Sequence, residues 1–147
     1  MTLLLLHAAA TLILVGLIWT IQLVHYPLMA YADRASFADF HERHAQRMAW
    51  LVAPLMPTEL VLSIWIARAP PPGVSPALAW TGLALVLVTW IATAMTSIPA
   101  HRTLARGFEG SAHRYLVRTN WIRTLAWTAR GAIAIAMLGA HAGWKAA

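Results

Sequence analysis

Four runs of about 20 apolar residues, the length that carries a helix across the hydrocarbon of a bilayer, fill most of this chain: Leu3 to Val24, Met48 to Ala67, Ala77 to Ala100 and Trp121 to Ala142. With 60% hydrophobic and 11% charged side chains in 147 residues, a water-soluble core cannot hide this much apolar surface. The pattern predicts an all-α fold, a four-transmembrane-helix bundle forming a single membrane domain over residues 1–147. No basic residue precedes the first run and it is longer than the apolar stretch of a signal peptide, so it reads as a mature span.

The basic residues set the orientation. Arg34, Arg43 and Arg47 follow the first run, and Arg102, Arg106, Arg114 and Arg118 follow the third, with Arg123 just inside the fourth. The Pro-rich connection after the second run holds only Arg68, and the tail only Lys145. The two arginine-rich connections are therefore expected in the cytoplasm and both termini outside it, in a bacterial inner membrane. The net charge of +6 is mostly this rim, which suits anionic lipid head groups. No soluble basic domain accompanies it, which leaves no nucleic-acid reading.

An offset of 71 residues lays Leu12, Leu14, Val15 and Trp19 on Leu83, Leu85, Val86 and Trp90, and Phe37, Arg43, Arg47 and Trp50 on Phe108, Arg114, Arg118 and Trp121. The chain thus reads as two repeated helical hairpins, about 1–72 and 73–147. Pro27 and Pro99, and His41 and His113, match with one residue of slippage. In each half an amphipathic segment, beginning at Phe37 or Phe108, is expected to lie in the cytoplasmic interface, its arginines on phosphates and its aromatics in the acyl boundary.

Arginine accounts for the rim but not for histidine, a poor anchor near neutral pH. His25, His41, His44, His101 and His113 are five of the seven histidines and all fall at one depth. His41 and His44 stand at i and i+3, so their rings leave one face of a helix. His41, His44, His101 and His113 are candidate metal ligands, for iron, copper, zinc or haem iron. His25 is a candidate general base. The plainer alternative is a set of interfacial histidines bonded to water and head groups. No HExxH motif and no paired Glu-x-x-His motif is present. The absence of cysteine removes thiolate ligands and thiol catalysis.

Glu59 stands in mid-span, where an ionisable residue marks a functional site by default, and Arg130 is its equivalent under the 71-residue offset. The two are expected at equal depth as a buried pair, serving either helix register or catalysis. His7 and His141, near the outer ends of the first and fourth runs, could form an outer pair across the bundle, but interfacial hydrogen bonding is the reading they favour. Trp50, Trp121 and Trp144 fit the aromatic belts, and the other tryptophans pack the spans or face lipid.

The strings VHYP after the first run, IPAHRTLARGF after the third and HRYLVRTNWIRTLAW into the fourth resemble those of a broad group of small bacterial four-span membrane proteins. Within that group the layout is similar to that of the anthrone-oxygenase-like proteins. The resemblance implies oxygenation of a flat polyketide-type aromatic, with a histidine as base and without an obligatory cofactor. Together these readings favour a small membrane oxidoreductase or oxygenase acting on a lipophilic substrate, with His25, Glu59 and Arg130 as catalytic candidates. The alternative is a non-catalytic accessory subunit of a larger membrane complex or oligomer. A transporter is a third reading, since repeats and mid-span charge also belong to transporters.

Overall fold

Side-chain chemistry along the first helix is inside out. In α1 (Thr2–Thr20) the buried residues include Leu4, His7, Thr11, Leu14 and Ile18, spaced three and four apart on one stripe, while Leu5, Leu6, Leu12 and Ile13 are exposed. Water would reverse this arrangement; lipid favours it, because apolar side chains face the acyl chains and polar ones find partners within the bundle. The computed structural model describes residues 1–143; Trp144 and Lys145 lie outside the described residues. Among the described residues the fold is all-helical, with no strand. Three helical stretches, Thr2–Tyr31, Phe37–Arg68 and Pro76–Leu104, are long and apolar enough to cross a membrane.

Past α1 the chain makes a π-helical turn (Ile21–His25), a short α2 (Tyr26–Leu28) and a 3₁₀ turn (Met29–Tyr31). α3 (Phe37–Arg68) and a Pro-rich turn lead to α4 (Pro76–Ala92), then a second π-helical turn (Thr93–Ser97), α5 (Ile98–Leu104) and α6 (Gly110–His141). α3 and α6 are each 32 residues long. In both π turns the backbone N–H five residues on closes the ring, Tyr26 to Ile21 and Ile98 to Thr93. A proline follows at once in each case, Pro27 or Pro99. Proline has no N–H to give the preceding turn, and a π turn re-aims the side chains after it, as π-bulges do at functional sites. Here they are Tyr26 and His101, with His25 the last residue of the first turn.

The segments expected to lie flat in the interface do not form separate helices. Phe37 to Trp50 is continuous with the rest of α3, and Ser111 to Trp121 with the rest of α6. The reason is local: Phe37 to Trp50 contains no glycine or proline, and the one glycine between Phe108 and Trp121, Gly110, is the first residue of α6, so nothing after it breaks the helix. Asp33 organises the entry to α3, accepting from the Ser36 backbone N–H (3.1 Å) and hydroxyl (3.0 Å). These bonds hold its carboxyl below the usual range.

The long helices pack in a ring, with α1 and α4 each contacting both α3 and α6. Apolar clusters form at the two ends. One joins Leu14, Ile18, Tyr26, Phe37, Leu104, Leu116 and Trp127; the other joins Leu4, Ile66, Val74, Leu83 and Met137. Phe37 and Phe108 meet edge to face at 5.1 Å, and the Arg34 guanidinium lies 3.5 Å over the Phe108 ring. At the opposite end Gly73 has φ +86°, and a Cβ there would stand 2.4 Å from the Ala140 carbonyl oxygen, so the turn closes on α6 only with glycine.

Candidate functional site

The two re-aimed helix ends bring Tyr26 and His101 together and lay both against α3. The Tyr26 hydroxyl, the more acidic partner, donates to Nε2 of His101 at 2.9 Å. The remaining proton of a neutral His101 is then on Nδ1, which donates to Nε2 of His41, also at 2.9 Å. His44, one turn further along α3, stacks on His25 with ring centroids 4.0 Å apart and planes 22° apart. Its ring is 6.1 Å from that of His101 and 6.3 Å from that of His41. Four of the five histidines expected at one depth, from three helical segments, thus share one layer.

Tyr26, His41, His44 and His101, but not His25, line a cavity of about 530 Å³. Its polar wall is Tyr26, His41, His44, His101 and Arg123, with the exposed Glu42 and Arg102 at its edge, and its apolar wall is built from Ile21, Met48, Val52, Ile98 and small alanines. Such a lining, mostly apolar with a few converging polar groups, is the usual make-up of a small-molecule site.

Arg123 does not belong to the basic rim. It is buried at 8% exposure and fastened by a chain of neutral groups. Its Nε and Nη2 donate to Asn120 Oδ1 (3.0 and 2.7 Å), and its Nη1 donates to the Thr93 hydroxyl (3.2 Å). Asn120 in turn donates to Gln22 (2.8 Å), whose own amide donates to the Val117 carbonyl (3.2 Å).

His113 is placed apart from the other histidines. Its Nε2 donates to the Tyr26 backbone carbonyl at 2.7 Å, so it clamps α6 to the re-aimed turn. Both ring nitrogens of His101 are occupied as well. Among the described residues no three His, Asp or Glu side chains are grouped to hold a metal ion, and the set His41, His44, His101 and His113 does not fit a metal centre as it stands.

Glu59 and Arg130 are brought together elsewhere, at the level of Thr11, about 20 Å along the first helix from Tyr26 by a 1.5 Å rise per residue. They are 0% and 1% exposed, with Arg130 Nε 3.9 Å from Glu59 Oε1. Their hydrogen bonds, however, go to others. Glu59 accepts from the Thr11 hydroxyl (2.9 Å) and the Trp127 indole (3.0 Å). Arg130 Nη2 donates to the Ser63 hydroxyl (2.6 Å) and to His7 Nε2. An arginine only donates, so His7 is neutral with its proton on Nδ1. His7 and His141 are not paired: His141 makes a hydrogen bond at the outer end, donating to the Pro72 carbonyl at 2.7 Å, whereas His7 is buried in this network rather than at the interface. The expected catalytic set is therefore divided, with His25 in the histidine layer and Glu59 with Arg130 in a separate polar layer.

No protein-family model matches the chain, and neither curated proteins nor solved structures give a match. The site has to be read from its own chemistry. Tyr26, Arg123, Asn120 and Gln22 are the members that a search for histidines and mid-span charge passes over. Gln22, Asn120 and Arg123 nevertheless carry the signal that singles out Glu59, a polar side chain inside an apolar run.

Proposed function

We propose that this protein is a four-span membrane oxygenase or oxidoreductase that binds a lipophilic molecule in the histidine-lined cavity and removes a proton from it. The observation that carries this reading is the Tyr26–His101–His41 hydrogen-bond chain on the wall of an otherwise apolar cavity. Among the described residues His44 faces that cavity with no hydrogen-bond partner on its ring, which suits a general base. The Arg123 guanidinium is a donor on the same wall, where an enolate oxygen would develop charge. With a flat ketone bearing an acidic CH₂, His44 takes the proton, the carbanion gives its electrons to dioxygen, and one CH₂ and one O₂ become one C=O and one H₂O.

The membrane architecture is part of the proposal. α6 is as long as α3 and packs between α1 and α4, so it serves as the fourth span although Arg123 and Arg130 lower its hydropathy. The duplicated order of long helix, π turn, proline and 32-residue helix supports descent from one hairpin. In this arrangement the histidine layer faces the cytoplasm and both ends of the chain lie across a bacterial inner membrane. Arg114 and Arg118 line a surface groove with Ser111 and Thr119, suited to lipid phosphates.

The test is oxygen uptake by detergent-purified protein supplied with anthrone. Wild-type protein should consume one O₂ per anthrone oxidised, His44→Gln should lose most of the rate, and Arg68→Gln, remote from the cavity, should retain it. Uptake equal to that of protein-free detergent would contradict the proposal.

A further inference from the structure

Arg123 is a buried cation whose partners are all neutral. Beyond Asn120 and Thr93 it meets the neutral Tyr26 phenol and the Trp127 ring, 5.8 Å from its central carbon. Among the described residues no carboxylate lies within ion-pair distance of it; the two ion pairs are Arg43 with Asp39 and Arg130 with Glu59. Glu42 also lines the cavity, but it is exposed and accepts from Gln46 at 3.1 Å.

A guanidinium stays charged in proteins and carries five N–H groups. Three are spent on Asn120 and Thr93, which leaves one on each terminal nitrogen. Burying a charge without a counter-charge is costly, and the Gln22–Asn120 chain holds this one in place rather than neutralising it. The rest of the wall is apolar or imidazole except for the Tyr26 phenol and, at its exposed edge, Glu42 and Arg102.

We infer that the cavity is built for a lipophilic monoanion, an apolar body ending in a single oxyanion, carboxylate or phenolate, received by Arg123. The inference rests on the reading of this cavity as the substrate site and adds the charge of the substrate. The apolar body lies against Ile21, Met48, Val52 and Ile98, and the oxyanion takes the guanidinium N–H groups that Asn120 and Thr93 leave over, beside the Tyr26 phenol.

Calorimetric titration of the protein in nanodiscs of zwitterionic lipid tests it, with 2-naphthoate against methyl 2-naphthoate for the carboxylate and 4-nitro-1-naphthol against its methyl ether for the phenolate. In at least one pair the anion should bind tenfold or more tighter than its neutral partner, about 1.4 kcal/mol, and the pair that does so identifies the oxyanion. Arg123→Gln should reduce that preference below threefold, and Arg123→Lys, which keeps the charge, should retain part of it. Equal affinities within both pairs, or an undiminished preference in a folded Arg123→Gln, would overturn the inference while leaving the cavity a lipophilic site. Binding of none of the four probes would overturn the cavity reading as well. The wild-type comparison is decisive even where Arg123→Gln does not fold.

Discussion

His41 and His101 share a hydrogen bond of 2.9 Å although they are 60 residues apart, and His101 takes its second bond from Tyr26 at the same distance. Removing the phenol therefore acts on the imidazole. Tyr26→Phe leaves the half-buried His101 Nε2 without a donor, and should cost about 1 kcal/mol of stability. In ¹⁵N spectra of histidine-labelled protein the His101 ring signals should shift while those of His141 stay in place. An unchanged His101 spectrum would contradict the chain.

Arg130 divides its bonds between His7 and Ser63 and stands 3.9 Å from the nearer Glu59 oxygen. Thermal-stability cycles should therefore show a larger coupling for His7 with Arg130 than for Glu59 with Arg130. Breaking one partner of a buried pair costs about 3–5 kcal/mol in soluble proteins, and less in membranes, where polar groups of the unfolded state also find partners. Arg130→Gln should be the most destabilising single change in this layer. Additive losses for His7 and Arg130 would show that they do not meet.

Gly82 gives Arg130 its space. A Cβ at Gly82 would stand 2.8 Å from Arg130 Nη1 and 3.3 Å from Ile133 and Met137 side-chain carbons, whereas one at Gly16 would meet nothing within 4 Å. Gly82→Ala should lose about 1–3 kcal/mol through overpacking. Gly16→Ala, on the exposed face of a helix, should be neutral or gain up to about 1 kcal/mol. Equal melting temperatures for the two variants would contradict the packing of α4 on α6.

The helices were legible in the sequence because apolar runs of membrane length admit little but helix. Their ends were less so. Phe37 to Trp50 carries the charges of an interfacial segment, yet without a breaker the backbone simply continues from it into α3. The pairing of Glu59 with Arg130 followed from the 71-residue offset, but their hydrogen bonds did not, since Thr11, Ser63 and His7 are brought in by packing angles that no spacing encodes. Tyr26 was hidden for another reason: a tyrosine at the end of a span reads as belt, and only the π turn before Pro27 aims it at His101. Arg123 reads as rim by sequence position, and only its neighbours Asn120 and Thr93 reveal it as cavity wall.

Single cysteines test the four-span arrangement, since the chain has none of its own. Ser36→Cys and Ser111→Cys should react with a membrane-impermeant maleimide from the cytoplasmic side, and Ser75→Cys from the other. Labelling of positions 36 and 75 from the same side would remove the four-span arrangement.

Proton removal in the cavity is the central claim, and it can be measured without dioxygen. Anthrone incubated with the protein in D₂O under nitrogen should exchange its CH₂ hydrogens faster than in protein-free detergent. His44→Gln should slow the protein-dependent exchange by about 100-fold or more, the scale of a general base. Exchange at the protein-free rate in the wild type, or equal acceleration by His44→Gln, would contradict the account.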